Sequence, residues 1–137
     1  MGHIIVKVKI SNIQKTKLKE VDGVVDTGAT LSVIPEKLAK ELGINITGES
    51  RVETGAGLIK VKKGEAYIAV EGKEELQPVI ISDFIDKVLI GATTLQVLAL
   101  KVDPINEKLV EGSLLLYFIY DRFQQHIWSR KNFYFRR

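Results

Sequence analysis

Residues 24–30 read Val24-Val25-Asp26-Thr27-Gly28-Ala29-Thr30. An acid emerges directly from an apolar run, and a small hydroxyl residue, a glycine and an alanine follow at once. The valines predict an extended, buried segment, which puts Asp26 at the floor of a structure and not out on a loop. Gly28 lets the backbone turn tightly and approach a ligand with no Cβ in the way. Thr27 carries a hydroxyl for another chain segment, and Thr30 one for a neighbouring backbone group. The plain alternative is a helix entry, because Asp and Thr are good caps and the run from Leu31 to Leu42 contains a helical pattern.

Outward from this run the chain reads as short strands. Residues 4–10 alternate, with Val6, Val8 and Ile10 on one face and Lys7 and Lys9 on the other, which predicts a half-buried strand. Residues 17–26 are a second extended segment. Residues 35–42 predict a short helix with Pro35 in its first position, Leu38 and Leu42 on one face, and Gly43 as its stop. Arms around Ser50–Glu53 and Leu58–Lys62 flank Thr54-Gly55-Ala56-Gly57, the signature of a hairpin. Residues 65–71 and 76–81 are two further strands. The run Lys87 to Ile90 is continuously apolar after its lysine and suits a strand buried on both faces. A short helix with a threonine cap, Thr93 or Thr94, follows to about Leu98. Leu100 to Pro104 then reads as strand and turn. Many short strands and little helix predict an all-β domain.

Composition limits the chemistry. The chain has 137 residues, enough for one domain with its own core. It has no cysteine, which removes disulfides, thiol nucleophiles and cysteine-based metal sites. Its two histidines, His3 and His126, lie far apart in sequence and give no basis for a metal site or a Ser-His-Asp triad. No signal-peptide pattern or membrane-length apolar run is present, so a soluble, cytoplasmic protein is expected.

The order of motifs carries more than any one of them. Residues 24–30 resemble the active-site signature of aspartic proteases. The Thr54–Gly57 hairpin is similar to the flap of the single-domain, retropepsin-like branch. Val88-Leu89-Ile90-Gly91-Ala92 resembles that fold's second hydrophobic-hydrophobic-glycine element. The resemblance covers roughly residues 4–110. It implies an all-β, closed barrel of retropepsin type with one or two short helices. It further implies a catalytic loop of Asp26, Thr27 and Gly28. Ala29, Thr30, Thr54, Gly55, Ala56, Gly57 and Ile90 are the implied substrate-binding residues. On hydropathy alone Val25, Ile81, Leu89 and Ile90 read as plain core, and Asp22, Asp83, Asp86 and Asp103 as turn or surface acids.

The family's mechanism uses two carboxylates that share a proton. This chain has one Asp-Thr-Gly, so the resemblance implies a homodimer acting on polypeptide, without metal or cofactor. The alternative is a catalytically weak or inactive module of the same fold that binds extended peptide or a partner protein.

The C-terminus departs from the pattern. Eight of the ten aromatics lie in residues 113–137, and residues 121–137 hold five basic residues against one acid. Residues 1–112 are therefore expected to form the protease-like domain and 113–137 an extension for dimerisation or packing. Viral members open with an extra strand that pairs with the partner's C-terminus, and here the first strand already leads to the catalytic loop. Ser113 to Tyr120 is the candidate replacement, as an added strand or the start of a helix. A basic, aromatic tail also suits nucleic acid or a membrane surface, although no nucleic-acid motif accompanies it.

Overall fold

The alternation at the N-terminus forms a strand, and its inward residues Val8 and Ile10 are completely buried. A computed structural model of the chain describes residues 4–113. In chain order these form β1 (Ile4–Ser11), β2 (Leu18–Val25), β3 (Val33–Ile34), α1 (Glu36–Leu42), β4 (Ile46–Thr54), β5 (Gly57–Val70), β6 (Lys73–Ile81), β7 (Val88–Ile90), α2 (Ala92–Val97), β8 (Leu100–Asp103) and β9 (Lys108–Glu111).

The main sheet runs β1-β2-β7-β3-β6-β5-β4. Lys9–Ser11 of β1 also pair with Tyr67–Ala69 of β5, which closes β1, β2, β7, β3, β6 and β5 into a six-stranded barrel. Closure removes the open sheet edges. The N-terminal half of β5 leaves the barrel and pairs with β4 as a projecting arm. β8 and β9 form a separate hairpin. The barrel is filled by Val8, Ile10, Ile34, Ile68, Val79, Ile90 and their neighbours, all essentially inaccessible. Each aliphatic side chain buried in this way contributes about 1.5–3 kcal/mol.

The all-β expectation holds, with local differences. Residues 58–62 and 65–70 belong to one 14-residue strand, β5, and Glu71 lies in the turn that follows. The interruption at Lys62-Lys63-Gly64 marks the place where β5 passes from barrel wall to projecting arm, so its faces change neighbours there. Pro35 caps α1 in an extended conformation and Glu36 opens the helix, while Gly43 ends it at φ 68°. α2 begins at Ala92 on Gly91, without a threonine cap, because Thr94 turns inward and is buried. Neither β3 nor β9 is among the strands that the sequence pattern predicts. The reading of Ser113 to Tyr120 as strand or helix lies outside the described residues from 114 onward. Among the described residues, no helix is long and apolar enough to cross a membrane.

Candidate active site

Val24 and Val25 end β2 beside β7, which holds them in parallel register with Leu89 and Ile90. The next residue, Asp26, is tied to the same strand: its N–H donates to the Ile90 carbonyl at 2.9 Å. The chain then turns sharply. The Gly28 N–H donates to Asp26 Oδ1 at 2.9 Å, and the Ala29 N–H to the Asp26 carbonyl at 3.1 Å. One carboxylate oxygen is thus held by backbone, which fixes the orientation of the group.

Gly91 supports this loop from below. A Cβ at residue 91 would lie 2.6 Å from the Leu31 carbonyl carbon and oxygen and 2.8 Å from the Ala29 oxygen. Only glycine permits that approach. The Ala92 N–H donates to the Ala29 carbonyl at 2.7 Å and the Thr93 N–H to the Thr30 carbonyl at 2.9 Å. Helix-start N–H groups lack partners within their helix, and the Asp26 loop supplies them. Beneath, the buried Ser32 Oγ accepts the Gly91 N–H at 3.0 Å and lies 2.6 Å from Thr94 Oγ1. The two apolar-then-glycine elements of the sequence are therefore one hydrogen-bonded unit.

Asp26, Gly28, Ala29, Thr30 and Thr54 border a common open cleft of about 680 Å³. Asp26 is exposed and borders this open cleft, and so does not sit on an enclosed floor. Thr27 is exposed beside it and is not among the residues that border the cleft. The β4–β5 arm overhangs the cleft. At its tip the Thr54 hydroxyl donates to the Gly57 carbonyl at 2.8 Å and accepts the Ala56 N–H at 3.1 Å. Gly55, Ala56 and Gly57 are exposed at that tip, beyond the cleft lining. The arm is tied to α1 by an ion pair of Lys62 with Glu36. The Lys62 hydrogen bond and charge hold the Glu36 carboxyl below its usual range.

Ile90 needs correction as a side chain offered to substrate. It is fully buried inside the barrel, and its contribution to the site is the carbonyl that holds Asp26. Its neighbour Leu89 takes the outer face. Leu89 lies opposite Val33, and Val33 beside Ile80. Residues paired across strands share a face, and both Val33 and Ile80 border the cleft. Sequence reasoning missed this row, and also Val52, Val61, Lys63 and Phe84, which border the same cleft. Strand alternation marks Val52 and Val61 as facing residues once the hairpin register is known; nothing local marks Val33, Ile80 or Phe84.

A second hollow, about 840 Å³, lies between β1, β2, α1 and the segment leading to β7, and none of residues 26–30 line it. Among the described residues, no group of three or more His, Asp or Glu is placed to hold a metal ion. His3 and His126 fall outside the described residues.

Residues 7–97 match the family described as "gag-polyprotein putative aspartyl protease". The chain belongs to this aspartyl protease family. Its fold is retropepsin-like. The EIAV protease, solved in complex with the inhibitor HBY-793, aligns at TM-score 0.61 with 19% identity, covering 74% of this chain and 93% of that one. A retropepsin-like aspartic protease from Rickettsia conorii aligns at 0.52 with 19% identity, over 74% and 77% of the two chains. The retroviral protease-like domain of Ddi1 from Leishmania major aligns at 0.50 with 16% identity, over 78% and 86%. At these identities the likeness establishes the shared fold. No curated protein sequence matches the chain.

Proposed function

We propose that this aspartyl protease family member is an active endopeptidase whose catalytic site is completed by a homodimer, one Asp26 from each subunit. The observation that carries the proposal is the placement of Asp26: an exposed, backbone-oriented carboxylate bordering an open cleft that it shares with the β4–β5 arm. One carboxylate supplies a base but no second acid. A twofold axis beside Asp26 supplies the partner, because an isologous contact brings the same residue from both sides.

In the proposed reaction the ionised Asp26 takes a proton from water as the oxygen attacks the peptide carbonyl carbon. The protonated Asp26 of the other subunit gives its proton to the carbonyl oxygen. The tetrahedral adduct collapses when the Asp26 that took the water proton gives it to the amide nitrogen and the other Asp26 takes one back from a hydroxyl of the adduct; the C–N bond breaks, acid and amine leave, and the pair regains its starting protonation. The two carboxylates titrate as a unit. Thr27 bonds across the dimer, Gly28 receives substrate backbone, and Ala29 and Thr30 line the nearest subsites. Thr54 to Gly57 close over the peptide and exclude water. Residues 1–112 are the catalytic domain, and 113–137 a dimerisation or packing extension, in a protein of the cytoplasm.

The test is Asp26→Asn, assayed on extended peptides from about pH 3 to 7, where a proton-sharing pair works best with one acid protonated. The variant is expected to keep its fold and oligomeric state and to lose cleavage. Cleavage retained by the variant refutes the proposal. A wild-type chain that binds peptide without cutting it points instead to a binding module.

A further inference from the structure

The outer face of the barrel under the arm presents one continuous row of side chains. Register places Leu89 opposite Val33, Val33 beside Ile80, and Ile80 opposite Lys63. Three members are apolar and the fourth is a cation. Lys63 is half-buried and borders the same cleft as Asp26. Across the arm its partner is Gly48, which has no side chain to cover it.

The neighbouring lysines are different. Lys60 pairs with Glu49 at 3.5 Å, and Lys62 pairs with Glu36. Both lie on the opposite face of β5 or its arm, as strand alternation requires. Lys63 forms no ion pair among the described residues. Of the acids bordering the cleft, Glu53 pairs with Leu58 on the exposed face of the arm. Asp26 borders the same cleft and forms no ion pair among the described residues. Glu65, next on the face of Lys63, does not border the cleft. Lys63 is therefore a half-buried cation beside Val33 and Ile80, whereas Arg51, the other cation among the described residues that border the cleft, is exposed.

We propose that Lys63 is a specificity residue that selects polypeptide with a carboxylate side chain, Glu or Asp, at one position along the cleft. Lys63 and Asp26 border one cleft, so an extended peptide lying over Asp26 also passes Lys63. Apolar side chains lie over Val33 and Ile80. In a twofold dimer each subunit presents its own Lys63, so the preference is repeated on both sides of the bond. This inference rests on the proposed use of the cleft for peptide, and it concerns recognition, which is measurable apart from cleavage.

The probe is a set of fluorescent extended peptides, apolar except for one position that carries Glu, Gln or Lys in turn. Binding is measured by anisotropy to full-length Asp26→Asn protein, and cleavage by wild type. At one position the Glu peptide is expected to bind about five- to tenfold tighter than the Gln peptide, the range for a partly buried charged contact. Lys63→Met removes that ratio, Lys63→Glu reverses it in favour of the Lys peptide, and Lys62→Met, on the other face, keeps it. A denaturation midpoint for each variant confirms that the ratios come from folded protein. No Glu preference at any position, or a preference that survives Lys63→Met, overturns the inference. A Glu preference in binding with no cleavage by wild type sinks the peptidase reading and leaves this one standing.

Discussion

Gly91→Ala places one methyl group where the Asp26 loop crosses β7. The nearest atoms are backbone: Leu31 carbonyl carbon and oxygen at 2.6 Å and the Ala29 oxygen at 2.8 Å. A flexible side chain would swing away, whereas this backbone is held by the Ala92-to-Ala29 and Thr93-to-Thr30 hydrogen bonds. Relief requires the loop to lift and those bonds to lengthen. Overpacking costs about 1–3 kcal/mol in ordinary cores, and a backbone obstacle puts this site at the upper end, about 3 kcal/mol. With a urea slope of about 2 kcal/mol/M, the midpoint falls by roughly 1.5 M. Cleavage falls further than the folded fraction does, because the shifted loop carries Asp26, and misplacement by about 1 Å costs on the order of 100-fold. Urea denaturation followed by fluorescence, with peptide hydrolysis in the absence of urea, reads both effects. Gly48→Ala is the control, since a Cβ there meets nothing within 4 Å, and its midpoint should stay within about 0.5 kcal/mol of wild type. If Gly91→Ala behaves like Gly48→Ala, the account of how Asp26 is positioned is wrong.

Two further substitutions probe buried polar groups. Ser32→Ala leaves the buried Gly91 N–H without its acceptor and is expected to cost about 1–3 kcal/mol; an unchanged denaturation midpoint would contradict this. Gln77 is 2% exposed, and neither its amide nitrogen nor its oxygen has a partner among the described residues. Gln77→Leu should therefore stabilise the protein by about 1–3 kcal/mol, and a lower melting temperature would show that the amide has a partner after all.

The Asp26 loop was legible because its signal is local: an acid after two valines, then small residues within four positions. The Thr54–Gly57 hairpin and Ile90-Gly91 were legible for the same reason, and their order along the chain pointed to one fold. The cleft lining was not, because it depends on which distant strands become neighbours. Val33 comes from a strand far in sequence from the consecutive strands that carry Lys63 and Ile80, and only the register aligns the three. Leu89 and Ile90 illustrate a second limit. A strand buried on both faces has no polar alternation, so hydropathy gives no reason to assign Ile90 to the barrel interior and Leu89 to its outer face. At Lys62-Lys63 the pattern failed where one strand serves both barrel and arm, and there a lysine facing the cleft looks the same in sequence as one facing solvent.

The central claim is that each catalytic site needs an Asp26 from both subunits. Mixing wild-type and Asp26→Asn chains, unfolded together and refolded so that subunits exchange fully, tests it directly. At equal proportions the account predicts about a quarter of the activity of the same total of wild-type chain, since only dimers with two intact carboxylates cut. Activity of about half, in proportion to the wild-type fraction, would mean that each chain works alone, and about three quarters that one Asp26 per dimer suffices; either would contradict the account.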